Sequence, residues 1–422
     1  MTTVKKLWNK DFIMFAIGME LFSIGSELLK FVLPLYVFLE TGSAILMGTV
    51  VAISTVPLVI LAPIGGIVSD RLNKRKLLAV MNFATAIAIV SYFSISGTME
   101  LVPATVTIML VLLGFEGLIS PTHDASVPAL APEGALVKAN SATFLLLMIS
   151  GIGAPIMGGF ILSRWGVAPV LLIAIACHLL ATIVNLATKI PYHPQKTNNS
   201  LPKTVLTDIR DSIRCVVKEQ PELGKVIIIV TLFGVTLGPA FLALNVVISG
   251  YLGMGETVVG LMRGLIAGGG SITVLLIGLL GERVNITITR KLFLISSISC
   301  ILMGLTLLLG SSNTLTLIIF VAFFAISSSP MIVLGIISWS YLGEKSPGHL
   351  VGKIMSVAFA SMMLGMVLGN YLYGLLLDHF AQAPAIVMFI MAAAAAGVAL
   401  IAKVNNWQDY KIQRRLNHEQ QN

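Results

Sequence analysis

Charge is scarce in this chain. Of its 422 residues only 11% are Asp, Glu, Lys or Arg, against about 25% in a soluble domain. A water-facing surface of ordinary composition cannot be built from that, which excludes the soluble enzymes and the nucleic-acid binders. Cysteine is nearly absent as well. Cys177, Cys215 and Cys300 are three in all, two of them inside apolar runs and none at a paired-ligand spacing, so neither a disulfide framework nor a zinc site follows. The Gly-rich loop ending in Lys that cradles nucleotide phosphates is missing, and no cofactor is expected. Short alternating segments of about ten residues, the mark of a membrane β-barrel, are missing too. Behind the polar, basic stretch Met1 to Asp11 there is no small-residue cleavage pattern, and the apolar run that follows is read as a retained first helix.

What is present is hydrophobic residue in long runs: 56% of the chain, with a mean hydropathy of +0.95. A spanning helix needs about 20 apolar residues. Twelve such runs are read, at 12–39, 44–69, 77–96, 101–121, 138–163, 166–188, 223–250, 257–281, 291–310, 313–341, 351–377 and 382–403. The fold class expected is an all-α integral membrane protein with twelve transmembrane helices. Alternating the spans with the N-terminus in the cytosol leaves Arg164 outside and Lys30 and Arg263 within spans, and puts every other Lys and Arg of the 27 inside. That asymmetry is the positive-inside rule, and it makes the net charge of +8 a topology signal. Both termini are then cytosolic. The polar stretch 189–222 separates a six-helix bundle at 1–188 from a second at 223–403, with a tail at 404–422. Within the stretch, Leu206, Ile209, Ile213 and Val217 recur at helical spacing among charges, as in an amphipathic interfacial helix.

The two bundles repeat one motif. After span two the chain reads Gly65-Gly66-Ile67-Val68-Ser69-Asp70-Arg71, and after span eight Gly278-Leu279-Leu280-Gly281-Glu282-Arg283. Each gives Gly, three residues, an acid and Arg, at the same loop of each half. Gly66 and Gly278 are expected to let helices approach. Asp70, Arg71, Glu282 and Arg283 are expected to form a charged conformational switch at the helix ends.

The first of these loops resembles the signature of the major facilitator superfamily, with Asn73 where that signature carries Gly. Span five, Gly151-Ile152-Gly153-Ala154-Pro155-Ile156-Met157-Gly158-Gly159, is similar to the antiporter motif of the superfamily's drug exporters, with Ala154 replacing a Gly and with Pro155, Gly158 and Gly159 in place. Ser120-Pro121-Thr122-His123-Asp124-Ala125, followed by Pro128, Pro132-Glu133 and Leu136 to Ser141, resembles the macrolide-efflux branch, whose relatives include siderophore exporters and lysophospholipid transporters. The resemblance implies two pseudo-symmetric six-helix bundles. It also implies a secondary active exporter of drug-like or macrolide-like apolar or amphipathic molecules that works by alternating access and is coupled to protons. A siderophore exporter or lysophospholipid flippase on the same scaffold is the alternative, and a membrane-embedded lipid-modifying enzyme a distant one. The partners implied are a small-molecule substrate, protons and the lipid bilayer, without nucleic acid; a bacterial plasma membrane and a monomer are expected. One departure matters: drug and proton antiporters of the superfamily commonly carry an Arg within span four, and here 101–121 holds Glu116 as its one charge.

Five ionisable residues fall within spans: Glu20, Glu27, Lys30, Glu116 and Arg263. Each costs about 2.5 to 3.5 kcal/mol near a bilayer centre. They are therefore expected to face protein or water rather than lipid, and the resemblance implies that they face a substrate and proton cavity. Glu20 and Glu27 lie seven residues apart on one helical face, and Glu27 and Lys30 at a spacing that permits pairing. With span four ending at residue 121, Glu116 is placed level with Glu20 across that cavity. His178 is read as a packing residue, and Asp378 and His379 as a solvated turn. The stripe Met355, Phe359, Met362, Met363 and Met366 suits either a greasy substrate surface or bundle packing.

Overall fold

A computed structural model describes residues 8–95, 99–132, 135–191, 220–280, 286–309, 312–346 and 351–402. Those residues form helices and no strands. In chain order they are α1 Lys10–Thr41, α2 Ala44–Arg71, α3 Lys74–Ile95, α4 Leu101–Leu130, α5 Leu136–Trp165, α6 Val167–Ala187, α7 Pro221–Leu237, α8 Ala240–Asn245, α9 Glu256–Leu280, α10 Thr289–Leu308, α11 Asn313–Lys345, α12 Val351–His379 and α13 Pro384–Ile401. α8 continues into a π-helical turn, Val246–Tyr251. Twelve stretches, with α7, α8 and the π turn counted as one, are long and apolar enough to cross a membrane. The expected amphipathic helix at 189–222 lies mostly outside the described residues, as do Glu282, Arg283 and the tail from residue 403.

Local chemistry sets the helix ends. Asn9 Oδ1 accepts from the Phe12 amide at 2.9 Å to open α1, an N-cap contact of about 1 kcal/mol. Gly42 closes it with φ 67°, a conformation that glycine alone adopts without strain. Pro34, Pro57, Pro63, Pro121, Pro128, Pro155 and Pro330 all lie inside helices. In an apolar surround, neighbouring helices compensate for the amide a proline lacks.

α4 corrects the sequence reading. It does not stop at Pro121 but runs through Thr122, His123 and Asp124 to Leu130. Thr122 and Ser126 return hydrogen bonds to the carbonyls four residues back, which keeps their hydroxyls satisfied within the helix. The midpoint of α4 therefore falls beside Glu116, and the depth assigned to that residue shifts accordingly.

The chain divides into two compact units. One holds residues 1–207, 240–268 and 370–381; the other holds 208–239, 269–369 and 382–422. In the first unit α2 packs along α4, and α1 packs against α5 and α6. Its core gathers Phe12, Phe15, Met19, Phe22, Leu78 and Ile119. In the second, α10 packs on α11 and α13, over a core that includes Leu223, Phe293, Leu342 and Ala395. Tyr341 donates to Glu222 Oε2 at 3.1 Å, tying α11 to the start of α7. Met362 and Met366 lie against Gly234, and Met366 also against Gly238, so this part of the methionine stripe packs on α7.

Candidate functional site

The first unit carries the candidate site. One turn of α1 presents Glu27 and Lys30, and α4 presents Glu116. Lys30 Nζ lies 2.5 Å from Glu27 Oε1 and 2.9 Å from Glu116 Oε1. One ammonium therefore bridges two carboxylates on different helices. Their side chains keep 26%, 37% and 17% of their surface for Lys30, Glu27 and Glu116 respectively. Glu27 and Lys30 also line the cavity described next.

The expected facing of Glu20 and Glu116 gives way to this pairing. Glu116 meets Lys30, ten residues along α1 from Glu20, at 2.9 Å. Glu20 lies apart from the bridge, with both carboxylate oxygens buried and no hydrogen-bond partner among the described residues.

A cavity of about 210 Å³ opens beside the bridge, lined by Glu27, Lys30, Phe31, Gly151, Pro155, Phe241, Arg263 and Ala267. Here α9 contributes Arg263, whose guanidinium carbon sits 5.3 Å from the Phe31 ring centre and 4.6 Å from that of Phe241. Four of the five intramembrane charges, Glu27, Lys30, Glu116 and Arg263, are thereby brought to or beside one cavity. Phe31 and Phe241 escaped notice in the sequence, where one aromatic among many apolar residues carries no signal.

The antiporter-like segment forms two walls. Gly158 packs on α1, where an added Cβ would stand 2.9 Å from Val32 and 3.1 Å from Phe31. Gly159 packs on α9, where a Cβ would strike the Glu256 carbonyl, and the Pro155 carbonyl fills the space that a Cβ on Gly260 would need. α5 thus meets α1 through side chains packed on Gly158, and α9 through the close backbone approach that Gly159 and Gly260 permit.

In the last turns of α2, the glycine that approaches a neighbour is Gly65, whose Cβ would meet Leu118 of α4 at 2.9 Å; Gly66 faces open space. The helix-approach role read onto Gly66 belongs one residue earlier. Arg71 is half-buried and engaged, while the Asp70 side chain lies outside what the structure describes. Gly278 falls within α9, near its end.

His178 is buried and sets Nδ1 3.0 Å from Asn82 Oδ1, joining α6 to α3 as a packing residue would. Asp378 differs from its expected place in a solvated turn. It receives the Ser43 hydroxyl at 2.6 Å, the Ala44 amide and the Ile45 amide at 3.2 Å, and so caps the first turn of α2 from the end of α12. A helix N-terminus carries unsatisfied amides and partial positive charge, which is what a carboxylate can neutralise. Among the described residues no group of His, Cys, Asp and Glu is arranged to hold a metal.

Comparison with known proteins places the fold. Macrolide efflux protein A of Streptococcus pyogenes is 22% identical over 379 residues, covering 88% of this chain and 90% of that protein. Among solved structures, the nucleoside transporter NupG superposes with a TM-score of 0.72 at 15% identity, covering 93% of this chain and 98% of its own. A D-xylose-proton symporter superposes at 0.66 with 18% identity, covering 94% and 96%. These are multi-pass membrane transporters rather than enzymes, and their likeness fixes the twelve-helix fold. A family model described as the Major Facilitator Superfamily matches residues 15–369, and the chain belongs to that superfamily.

Proposed function

We propose that this protein is a secondary active exporter of drug-like amphipathic small molecules, working by alternating access and coupled to protons. The observation that carries the reading is the Lys30 bridge between Glu27 and Glu116 at the wall of a cavity. Two carboxylates served by one ammonium leave a negative charge that either a proton or a substrate cation can answer. If the two compete for the same carboxylate, outward movement of substrate exchanges for inward movement of protons. The similarity to macrolide efflux protein A favours export of drug-like molecules. The positive-inside pattern favours cytosolic termini, and the bacterial relative favours a bacterial plasma membrane.

The test is transport in everted membrane vesicles with a pH-sensitive dye and a panel of cationic, neutral and anionic amphiphiles. Addition of a substrate should dissipate an established proton gradient, and a protonophore should abolish substrate accumulation. Accumulation that survives the protonophore would remove proton coupling from the proposal.

A further inference from the structure

The two cations at the cavity are treated differently. Lys30 rests on two carboxylates, whereas among the described residues no carboxylate lies within ion-pair distance of Arg263. The guanidinium is instead faced by two aromatic rings, at 5.3 Å and 4.6 Å. Both distances are inside the roughly 6 Å at which a cation is attracted to a ring face. Two rings turned toward one position make a binding place for a cation in general, and rings of this kind are used to hold quaternary ammonium groups.

We infer that Phe31 and Phe241 form the subsite for the cationic head of the substrate, and that Arg263 is its resident occupant, displaced when substrate binds. This deepens the export reading and rests on it for the claim that the bound cation is cargo.

Energetics permit the exchange. The attraction of a cation to a ring face does not depend on the cation being a guanidinium, so Arg263 is held by contacts a bound organic cation can match. It also has somewhere to go, since Glu27 lines the same cavity. Arrival of Arg263 at Glu27 would leave Lys30 to Glu116 alone, which connects occupancy of the aromatic subsite to the charge network. The volume agrees with a head-group site. At about 210 Å³ the cavity is below the 300 to 1,000 Å³ typical of a drug-sized pocket. It admits a cationic head, and withdrawal of Arg263 adds room, with Gly151 and Ala267 contributing little bulk.

The test uses two probes of nearly one shape and opposite charge, tetraphenylphosphonium and tetraphenylborate. Binding is measured by equilibrium dialysis on the purified, full-length protein without any gradient. Arg263→Gln should tighten tetraphenylphosphonium about tenfold, because the resident competitor is gone. Adding Phe241→Leu should abolish that gain, and Phe241→Trp in the same background should preserve or enlarge it. Should Arg263→Gln fail to purify as a single species, Arg263→Met removes the same charge with an apolar chain of similar length and carries the same expectation. Tetraphenylphosphonium affinity that is unchanged or weakened on removing Arg263 overturns the inference. So does a loss confined to tetraphenylborate, which would make Arg263 an anion acceptor. The export reading fails separately. Binding that follows this pattern without gradient-driven transport keeps the subsite and removes the exporter; transport of tetraphenylphosphonium indifferent to Arg263 and Phe241 does the reverse.

Discussion

Lys30 is the residue on which the candidate site turns. Removing it leaves Glu27 and Glu116 without the ammonium between them, whereas removing Glu116 leaves a simple Glu27 and Lys30 pair on one helix. Lys30→Met should therefore destabilise the protein more than Glu116→Gln. The loss should be less than the roughly 3 to 5 kcal/mol of a fully buried pair, because the Lys30 side chain keeps 26% of its surface. Thermal unfolding in detergent would show the order. The double variant should recover part of the stability lost in Lys30→Met, and no recovery would mean that Lys30 and Glu116 are not coupled. In vesicles, Glu116→Gln should lose gradient-driven export while keeping downhill movement of substrate. Normal gradient-driven export by that variant would take Glu116 out of coupling. The five charges were legible in the sequence because each is costly in lipid, and so was the Glu27 and Lys30 pair from its spacing, but the contact of Lys30 with Glu116 was not. It depends on helix register, and Pro121 was read as a stop where an apolar surround lets the helix continue.

Helices α2 and α12 meet through glycine, and a carboxylate closes the join. A Cβ on Gly48 would strike the Asn370 carbonyl, and one on Gly374 would come 2.9 Å from the Ala44 carbonyl. Beyond them Asp378 takes the Ser43 hydroxyl and the first amides of α2. A cavity of about 340 Å³, lined by Phe38, Ser249, Tyr251 and Asp378 among others, lies at this end. Hydrogen bonds to a charged acceptor contribute about 1.5 to 3 kcal/mol each when buried, so Asp378→Asn should loosen the join without unfolding the bundle. The expected outcome is several-fold faster maleimide modification of Ser249→Cys in a background lacking native cysteines. Equal rates with Asp378 and with Asn would reduce the contact to a helix cap. The α5 and α9 seam calls for a harsher variant. Gly260→Val puts bulk against the Pro155 carbonyl, and overpacking of this kind costs about 1 to 3 kcal/mol. A lowered Tm together with lost transport is expected, and an unchanged Tm would show that the seam is slack. Pro155, Gly158 and Gly159 were legible as a packing motif. Which helices they touch was not, since small residues announce close approach but not the partner.

At the scale of the whole molecule, hydropathy alone reads the twelve spans, because apolar length is set by bilayer thickness. The compact units follow different lines. Segments 240–268 and 370–381 group with the first six helices, and the divisions fall at Pro239, between Gly268 and Gly269, and after Gly369. No apolar run reports that, since tertiary grouping depends on which faces meet. Orientation is the part that the sequence argues most strongly and that a simple experiment decides. α3 has 22 residues, or about 33 Å at 1.5 Å per residue, enough to cross a hydrocarbon core of about 30 Å. Leu72, exposed before its start, and Glu100, exposed beyond its end, therefore report opposite faces of the membrane. Leu72 lies among Arg71, Lys74, Arg75 and Lys76, while the loop at Glu100 has no Lys or Arg. The positive-inside rule then puts Leu72 in the cytosol and Glu100 outside. In a cysteine-free background, a membrane-impermeant maleimide added to intact cells should label Glu100→Cys and spare Leu72→Cys, and everted vesicles should reverse the result. Labelling of Leu72→Cys from outside would invert the whole chain in the bilayer, and with it the direction in which the proposed exporter moves its substrate.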